Sequence, residues 1–149
     1  MKRIQRSTEL PFGARQMYDL VNDVAAYPEF LPWCGAVQIH ERTETRQRAT
    51  LELVRNGLRK SFTTINTMVP GERIEVMLDK GPFRRLHGDW QFRSLGEQRC
   101  RIDFRMEFEF AGALLDMALG PLFTQVTETM VESFRRRAYD VYGQGDDSH

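Results

Sequence analysis

Apolar and polar positions change period along this chain, and the changes mark its elements. Residues 2–10 alternate loosely, Ile4, Arg6, Thr8 and Leu10 against Arg3, Gln5, Ser7 and Glu9, which predicts a strand. Pro11 and Gly13 end it. Ala14, Met17, Tyr18 and Val21 then recur at helical spacing and predict a short helix, stopped at Asn22-Asp23. Val24–Trp33 is apolar but carries Pro28 and Pro32. Proline lacks an amide proton and fixes φ, so this stretch is expected to give one or two helical turns and then a loop.

From residue 35 to 110 the period is two. Val37-Ile39 opens a strand, and the polar run Glu41–Gln47 reads as a turn. Ala49, Leu51 and Leu53 alternate with polar neighbours up to Asn56-Gly57, a strong hairpin signal. Leu58–Val69 predicts the next strand, closed by Pro70-Gly71. Ile74, Val76 and Leu78 predict another, closed by Gly81-Pro82. Leu86, Gly88, Trp90 and Phe92 alternate up to a turn at Leu95–Gln98. The clearest strand is the last: Cys100, Ile102, Phe104, Met106, Phe108 and Phe110 face one way, and Arg101, Asp103, Arg105, Glu107 and Glu109 the other. Such alternation means one dry and one wet face, as in an antiparallel sheet.

Residues 113–142 return to helical period through Leu115, Leu119, Leu122, Val126, Met130 and Phe134. Gly120-Pro121 is expected to kink or divide this helix, and Gly143 to cap it. The dry face of the sheet needs a cover, and this helix is the large apolar element available. One helix, about 10 Å across, does not fill a strongly curved seven-stranded sheet. A cavity lined by inward strand residues is therefore expected.

With 149 residues, the chain suits one domain. Its 41% hydrophobic and 28% charged residues exclude a collagen-like chain and argue against a mainly disordered one. Lys plus Arg and Asp plus Glu are 21 each, so nucleic-acid binding would need a local patch. Cys34 and Cys100 form no metal-ligand pattern and read as reduced thiols of a cytosolic protein. The start MKRIQRSTELPF carries no apolar signal segment. Phe110–Phe123 is too short to span a bilayer, though it could touch one. A cytoplasmic location is expected, with loose membrane-peripheral contact as the alternative.

The chain resembles the coenzyme-Q-binding START-domain family, which is polyketide-cyclase-like and of helix-grip fold and includes the bacterial ribosome-association toxins. The match is carried by Val24-Ala25-Ala26-Tyr27-Pro28-Glu29-Phe30-Leu31-Pro32-Trp33-Cys34, Ser61-Phe62-Thr63-Thr64, Gly81-Pro82-Phe83-Arg84-Arg85-Leu86, Trp90-Gln91-Phe92, Asp103-Phe104, Phe108-Glu109-Phe110 and Phe134-Arg135-Arg136-Arg137-Ala138. It covers residues 1–143 as one domain and leaves 144–149 as an expected disordered tail. It implies an α+β, START/Bet v1-like architecture: a seven-stranded antiparallel sheet curled around a long C-terminal helix. It also implies a non-enzymatic protein with no catalytic cofactor, which binds ubiquinone or a similar polyprenyl lipid and supports respiration. The alternative it implies is a toxin that binds the large ribosomal subunit and blocks subunit joining, held in check by a small antitoxin protein. A cyclase-like enzyme is the third reading.

Candidate ligand-binding residues are Trp33, Phe62, Thr64, Asn66, Trp90, Phe92, Phe104, Met106, Phe108, Leu119, Phe123 and Met130. Any of the aromatics could equally be packed core. Burial of a prenyl chain needs only an apolar wall, at roughly 0.8 kcal/mol per methylene, and a few polar groups for a headgroup. Thr64 and Asn66 share the parity of Phe62 and could supply these, or could be a polar pair at a strand end. Gly88 beside Trp90 is expected to leave room for a ligand. Arg55, Arg59, Lys60, Arg84 and Arg85 are the candidate RNA-contacting residues, if the two turns they flank lie at neighbouring sheet ends. His87 and Asp89 share a strand face opposite to Trp90 and read as surface hydrogen-bonding groups rather than an acid–base pair.

Overall fold

The computed structural model describes residues 1–143. Strand β1 (Lys2–Leu10) is followed by α1 (Ala14–Asn22) and a 3-10 helix over Val24–Glu29. Then come β2 (Cys34–Arg42), β3 (Arg46–Arg55), β4 (Leu58–Val69), β5 (Arg73–Lys80), β6 (Phe83–Gly96) and β7 (Arg99–Phe110). Helix α2 (Ala113–Ala138) ends in a wider π-helical turn at Tyr139–Gly143. The seven strands form one antiparallel sheet in the order β1-β7-β6-β5-β4-β3-β2. The sheet curls around α2 in an α+β helix-grip architecture.

Local chemistry sets the turns. Asn56 and Gly57 take φ of 49° and 85° between β3 and β4, the left-handed pair that a tight hairpin requires. The Gly13 amide donates to Gln16 Oε1 at 2.9 Å and caps α1. Register shifts interrupt β2, the β4–β5 pair at Thr63/Thr64, and both ends of the β6–β7 pair. Such bulges bend strands and strengthen their twist, which a curled sheet needs.

The topology also explains how the concave face is filled. β1 lies at one edge of the sheet and β2 at the other, so residues 11–33 must cross its width. They cross on the dry face, burying Phe12, Met17, Tyr18, Val21, Val24, Tyr27 and Leu31. The cover is therefore α1, the 3-10 helix and α2 together. The expected wide hollow, which counted α2 alone as cover, is filled for this reason.

Other expectations shift by a few residues. β2 already begins at Cys34 and continues to Arg42, so the polar run Glu41–Gln47 is mostly strand and only residues 43–45 turn. β6 extends through Leu95 to Gly96. Gly120-Pro121 does not divide α2. The hydrogen bond that Pro121 cannot make would have reached Met117, in the exposed first turns of the helix, where water can replace it. The tail 144–149 lies outside the described residues. No helix of the described residues is long and apolar enough to cross a membrane.

Candidate functional site

A cavity of about 60 Å³ remains between the sheet, the 3-10 helix and α2. Nine of the twelve expected ligand-binding residues line it: Trp33, Phe62, Thr64, Asn66, Trp90, Phe104, Met106, Phe123 and Met130. Phe92, Phe108 and Leu119 do not. Phe92 lies beyond Trp90, edge-on to Tyr18 at 5.7 Å, because α1 covers that end of the sheet. Phe108 packs against Phe123 at 4.8 Å. Leu119 is buried in the first turns of α2. These three are packed core. The lining also includes Val24, Tyr27, Leu51, Val76, Leu86 and Val126. Leu51, Val76 and Leu86 were legible from strand parity, whereas Val24 and Tyr27 arrive only through the crossing segment.

The cavity has room for a few waters and less than half the ~150 Å³ that receives a benzene ring. Trp90 stacks obliquely on Phe104 at 4.3 Å and stands edge-on to Phe134 at 5.5 Å. The room expected beside Gly88 is taken by Met106, whose methyl lies 2.9 Å from where a Cβ would stand.

Thr64 and Asn66 are mid-strand and buried, not a pair at a strand end. Asn66 is 7% exposed, and its Oδ1 has no hydrogen-bond partner. Its register partner on β3 is Gln47, 1% exposed, whose Oε1 is also unpartnered. Gln47 Nε2 donates to the Asn22 backbone carbonyl at 3.1 Å. Asn22 Oδ1, and the Tyr18 hydroxyl one turn earlier on α1, also lack partners. Sequence reading missed Gln47, which lay in the run taken for a turn.

Outside the cavity, a groove of about 690 Å³ runs between the Phe30–Trp33 segment, the β3–β4 hairpin and α2. Trp33 and Val126 line both spaces and form the wall between them. Arg55, at the rim of the groove, donates to Gln125 Oε1 on α2 at 3.3 Å. Arg137 donates to Glu29 at 3.1 Å and lies over the Phe30 ring, which holds the 3-10 helix to α2. Of the apolar run Phe110–Phe123, only Leu114 and Met117 stand out into solvent as large exposed side chains.

The candidate RNA-contacting residues gather at one end of the sheet. Antiparallel pairing puts the end of β3, the start of β4, the end of β5 and the start of β6 together, so Arg55, Arg59, Lys60, Arg84 and Arg85 share that end with Lys80. Lys80 is an addition that sequence parity hid, because the bulge at Thr63/Thr64 resets its register. Arg59 pairs with Glu52 at 2.7 Å and Arg84 with Glu109 at 2.9 Å. Among the described residues Arg55, Lys60, Lys80 and Arg85 are exposed and make no ion pair. The opposite end carries Glu44, Glu72 and Glu97 in its three turns. The strand ends beside those turns also carry Arg42, Arg46, Arg73, Arg93 and Arg99, so this end is mixed in charge.

On the outer face, His87 meets Glu75 at 2.9 Å. Asp89 is on this face as expected but is buried, beneath Arg73 and Arg105. Cys34 and Cys100 are free and buried.

Residues 10–135 match the family described as polyketide cyclase / dehydrase and lipid transport. The ribosome association toxin RatA of Pseudomonas aeruginosa is 52% identical over 140 residues, covering 94% of this chain and 97% of the relative. The coenzyme Q-binding protein COQ10 homolog B, mitochondrial, of Xenopus laevis is 30% identical, covering 96% of this chain and 61% of the relative. Among solved structures, the Zhui aromatase/cyclase of Streptomyces sp. R1128 aligns with a TM-score of 0.79 at 19% identity, covering 97% of this chain and 98% of that one. With the family match, the RatA likeness and the curled sheet agreeing over nearly the whole chain, this protein belongs to the polyketide cyclase / dehydrase and lipid transport family and, within it, to the START-like branch that includes the bacterial ribosome-association toxins.

Proposed function

We propose that this protein associates with the large ribosomal subunit through the basic end of its sheet and so hinders subunit joining. The observation that carries this is the set of exposed cations Arg55, Lys60, Lys80 and Arg85, without an ion pair among the described residues, at one end of the sheet in a chain with no net charge. Such a patch binds phosphates by releasing their counterions. The likeness to a protein named a ribosome association toxin supports a ribosomal partner. The test is gradient sedimentation of lysates overproducing the chain. Co-sedimentation with the large subunit and a rise in free subunits is expected. The chain staying at the top with subunit ratios unchanged would overturn the proposal.

The role is read as binding, without bond-making. An acid–base group would have to face the cavity, and among the described residues its lining holds no His, Asp, Glu, Lys or Cys. The Tyr27 hydroxyl there donates to the Val21 carbonyl, and burial pushes its pKa far above the ordinary phenol value.

A second reading, binding of an apolar ligand such as a polyprenyl quinone, is favoured by the shared wall of cavity and groove. Movement of the half-buried Trp33 would join the two spaces, and the unbranched Met106 and Met130 can rearrange around a ring. The likeness to a coenzyme Q-binding protein supports it. Solvent extraction of purified protein should return about one equivalent of quinone; a clean extract would count against it.

A further inference from the structure

We infer that the polar pole of the cavity, Asn66 backed by Gln47, selects a ligand that donates a hydrogen bond: a hydroxylated ring of the phenol or hydroquinone type, over a ring that can only accept. This rests on the apolar-ligand reading and adds which ring that ligand carries.

The inference follows from counting donors against acceptors. Gln47 Nε2 donates to the Asn22 carbonyl, and a carbonyl only accepts, so the orientation of the Gln47 amide is fixed and its Oε1 is a true acceptor. That oxygen has no partner, and neither has Oδ1 of Asn66, its neighbour across the β3–β4 ladder. Turning the Asn66 amide round could satisfy Gln47 with one N–H, but the Asn66 carbonyl would still lack a donor. In either orientation the pole is short of donors. The other donors of the lining, the Thr64 hydroxyl and the indole N–H groups of Trp33 and Trp90, make no hydrogen bond to either oxygen, and the Tyr27 hydroxyl is committed to the Val21 carbonyl. A buried acceptor left unmade is costly, so a ring bringing an O–H to this point gains what a ring bringing only an ether or carbonyl oxygen does not.

The probes are 4-methylphenol, 4-methylanisole and toluene, titrated against the ¹⁵N-labelled full chain with the Asn66 and Gln47 side-chain amide signals as readout. For the wild type, 4-methylphenol should bind about tenfold more tightly than 4-methylanisole, the worth of one hydrogen bond. Asn66→Leu, close in size and apolar, should bring that ratio to about one while toluene binding persists, now followed through backbone amides around the cavity. Its thermal melt should match or exceed the wild type, because an unpartnered buried amide has been removed. Equal binding of phenol and anisole to the wild type, or a preference that survives in Asn66→Leu, would overturn the inference alone. Failure of all three rings to bind would overturn the apolar-ligand reading, and the inference with it.

Discussion

Arg73 on β5 donates through Nε to Oδ1 of Asp89 on β6 at 2.6 Å, diagonally across neighbouring strands of the outer face. Gln91 donates to Oδ2 at 2.9 Å, and Arg105, the register partner of Asp89 on β7, lies 3.7 Å from the same oxygen. Burial alone would push this carboxyl up, but the hydrogen bonds from Arg73 and Gln91 and the charges of Arg73 and Arg105 outweigh it and hold the carboxyl below its usual range. Asp89 thus ties three central strands together.

Because the folded carboxyl is the stronger acid, its contribution is complete above the unfolded pKa of about 4. It is lost as pH falls through the lower folded value. Asp89→Asn should cost about 1–3 kcal/mol at pH 7, read from urea melts. The gap between variant and wild type should shrink steadily below about pH 4. A gap independent of pH would mean that the side chain matters for its shape and not its charge.

The exposed cations Arg55, Lys60, Lys80 and Arg85 make a prediction about salt. If Lys60 and Arg85 meet ribosomal RNA phosphates, Lys60→Ala and Arg85→Ala should each weaken subunit binding and flatten the plot of log affinity against log salt by roughly 0.7–0.9. Glu72→Ala, at the opposite end of the sheet, should leave that slope unchanged. Binding measured over a range of potassium chloride concentrations would check this; equal slopes for all three variants would place the contact elsewhere on the surface.

Strand parity carried most of the architecture into view before any coordinates. The alternation from Cys100 to Phe110 reads directly as the inward and outward faces of β7, and Asn56-Gly57 as a hairpin. Quantities that depend on what crosses over the sheet were not readable. The size of the cavity is set by the crossing segment 11–33, and nothing local in Met17 or Tyr18 says which face they cover. The partnering of Gln47 with Asn66 depends on a register that the polar run around Gln47 concealed. The parity of Lys80 is reset by a bulge, which leaves no mark in hydrophobic periodicity. The burial of Asp89 follows from two long arginine side chains folding over it from adjacent strands.

The cysteines should be silent in the folded protein. Burial pushes the thiols of Cys34 and Cys100 up to about 11. Alkylation by iodoacetamide at pH 8 should therefore be slower than for a free thiol by a factor on the order of 10², before any steric protection. Mass spectrometry should find the native chain unmodified while both residues react in urea. The neutral thiol is the form the fold favours, so its contribution to stability is intact below about pH 8.5 and declines as pH rises toward the folded value. Rapid labelling of Cys100 in the native state would show that β7 opens far more often than its central place in the sheet implies.

Two glycines separate rigid from adaptable crowding. At Gly81 the backbone has φ of 152°, and an added Cβ would stand 2.7 Å from Phe62 Cβ and 3.2 Å from its Cα. Neither the left-handed backbone nor a strand Cα can yield cheaply, so Gly81→Ala should cost about 3 kcal/mol. At Gly88 the added Cβ would meet the end of a flexible side chain, Met106 Cε at 2.9 Å, with the cavity beside it. Met106 can swing into that space, and the loss of glycine freedom in the unfolded chain offsets some of the strain, so Gly88→Ala should stay within about 1 kcal/mol of wild type. Urea melts with unchanged slope would give both values. A methionine displaced into the cavity should also weaken the binding of 4-methylphenol in Gly88→Ala. Equal destabilisation at the two sites would mean that Met106 is held as firmly as the β4 backbone, and that the cavity cannot reshape itself around a ring.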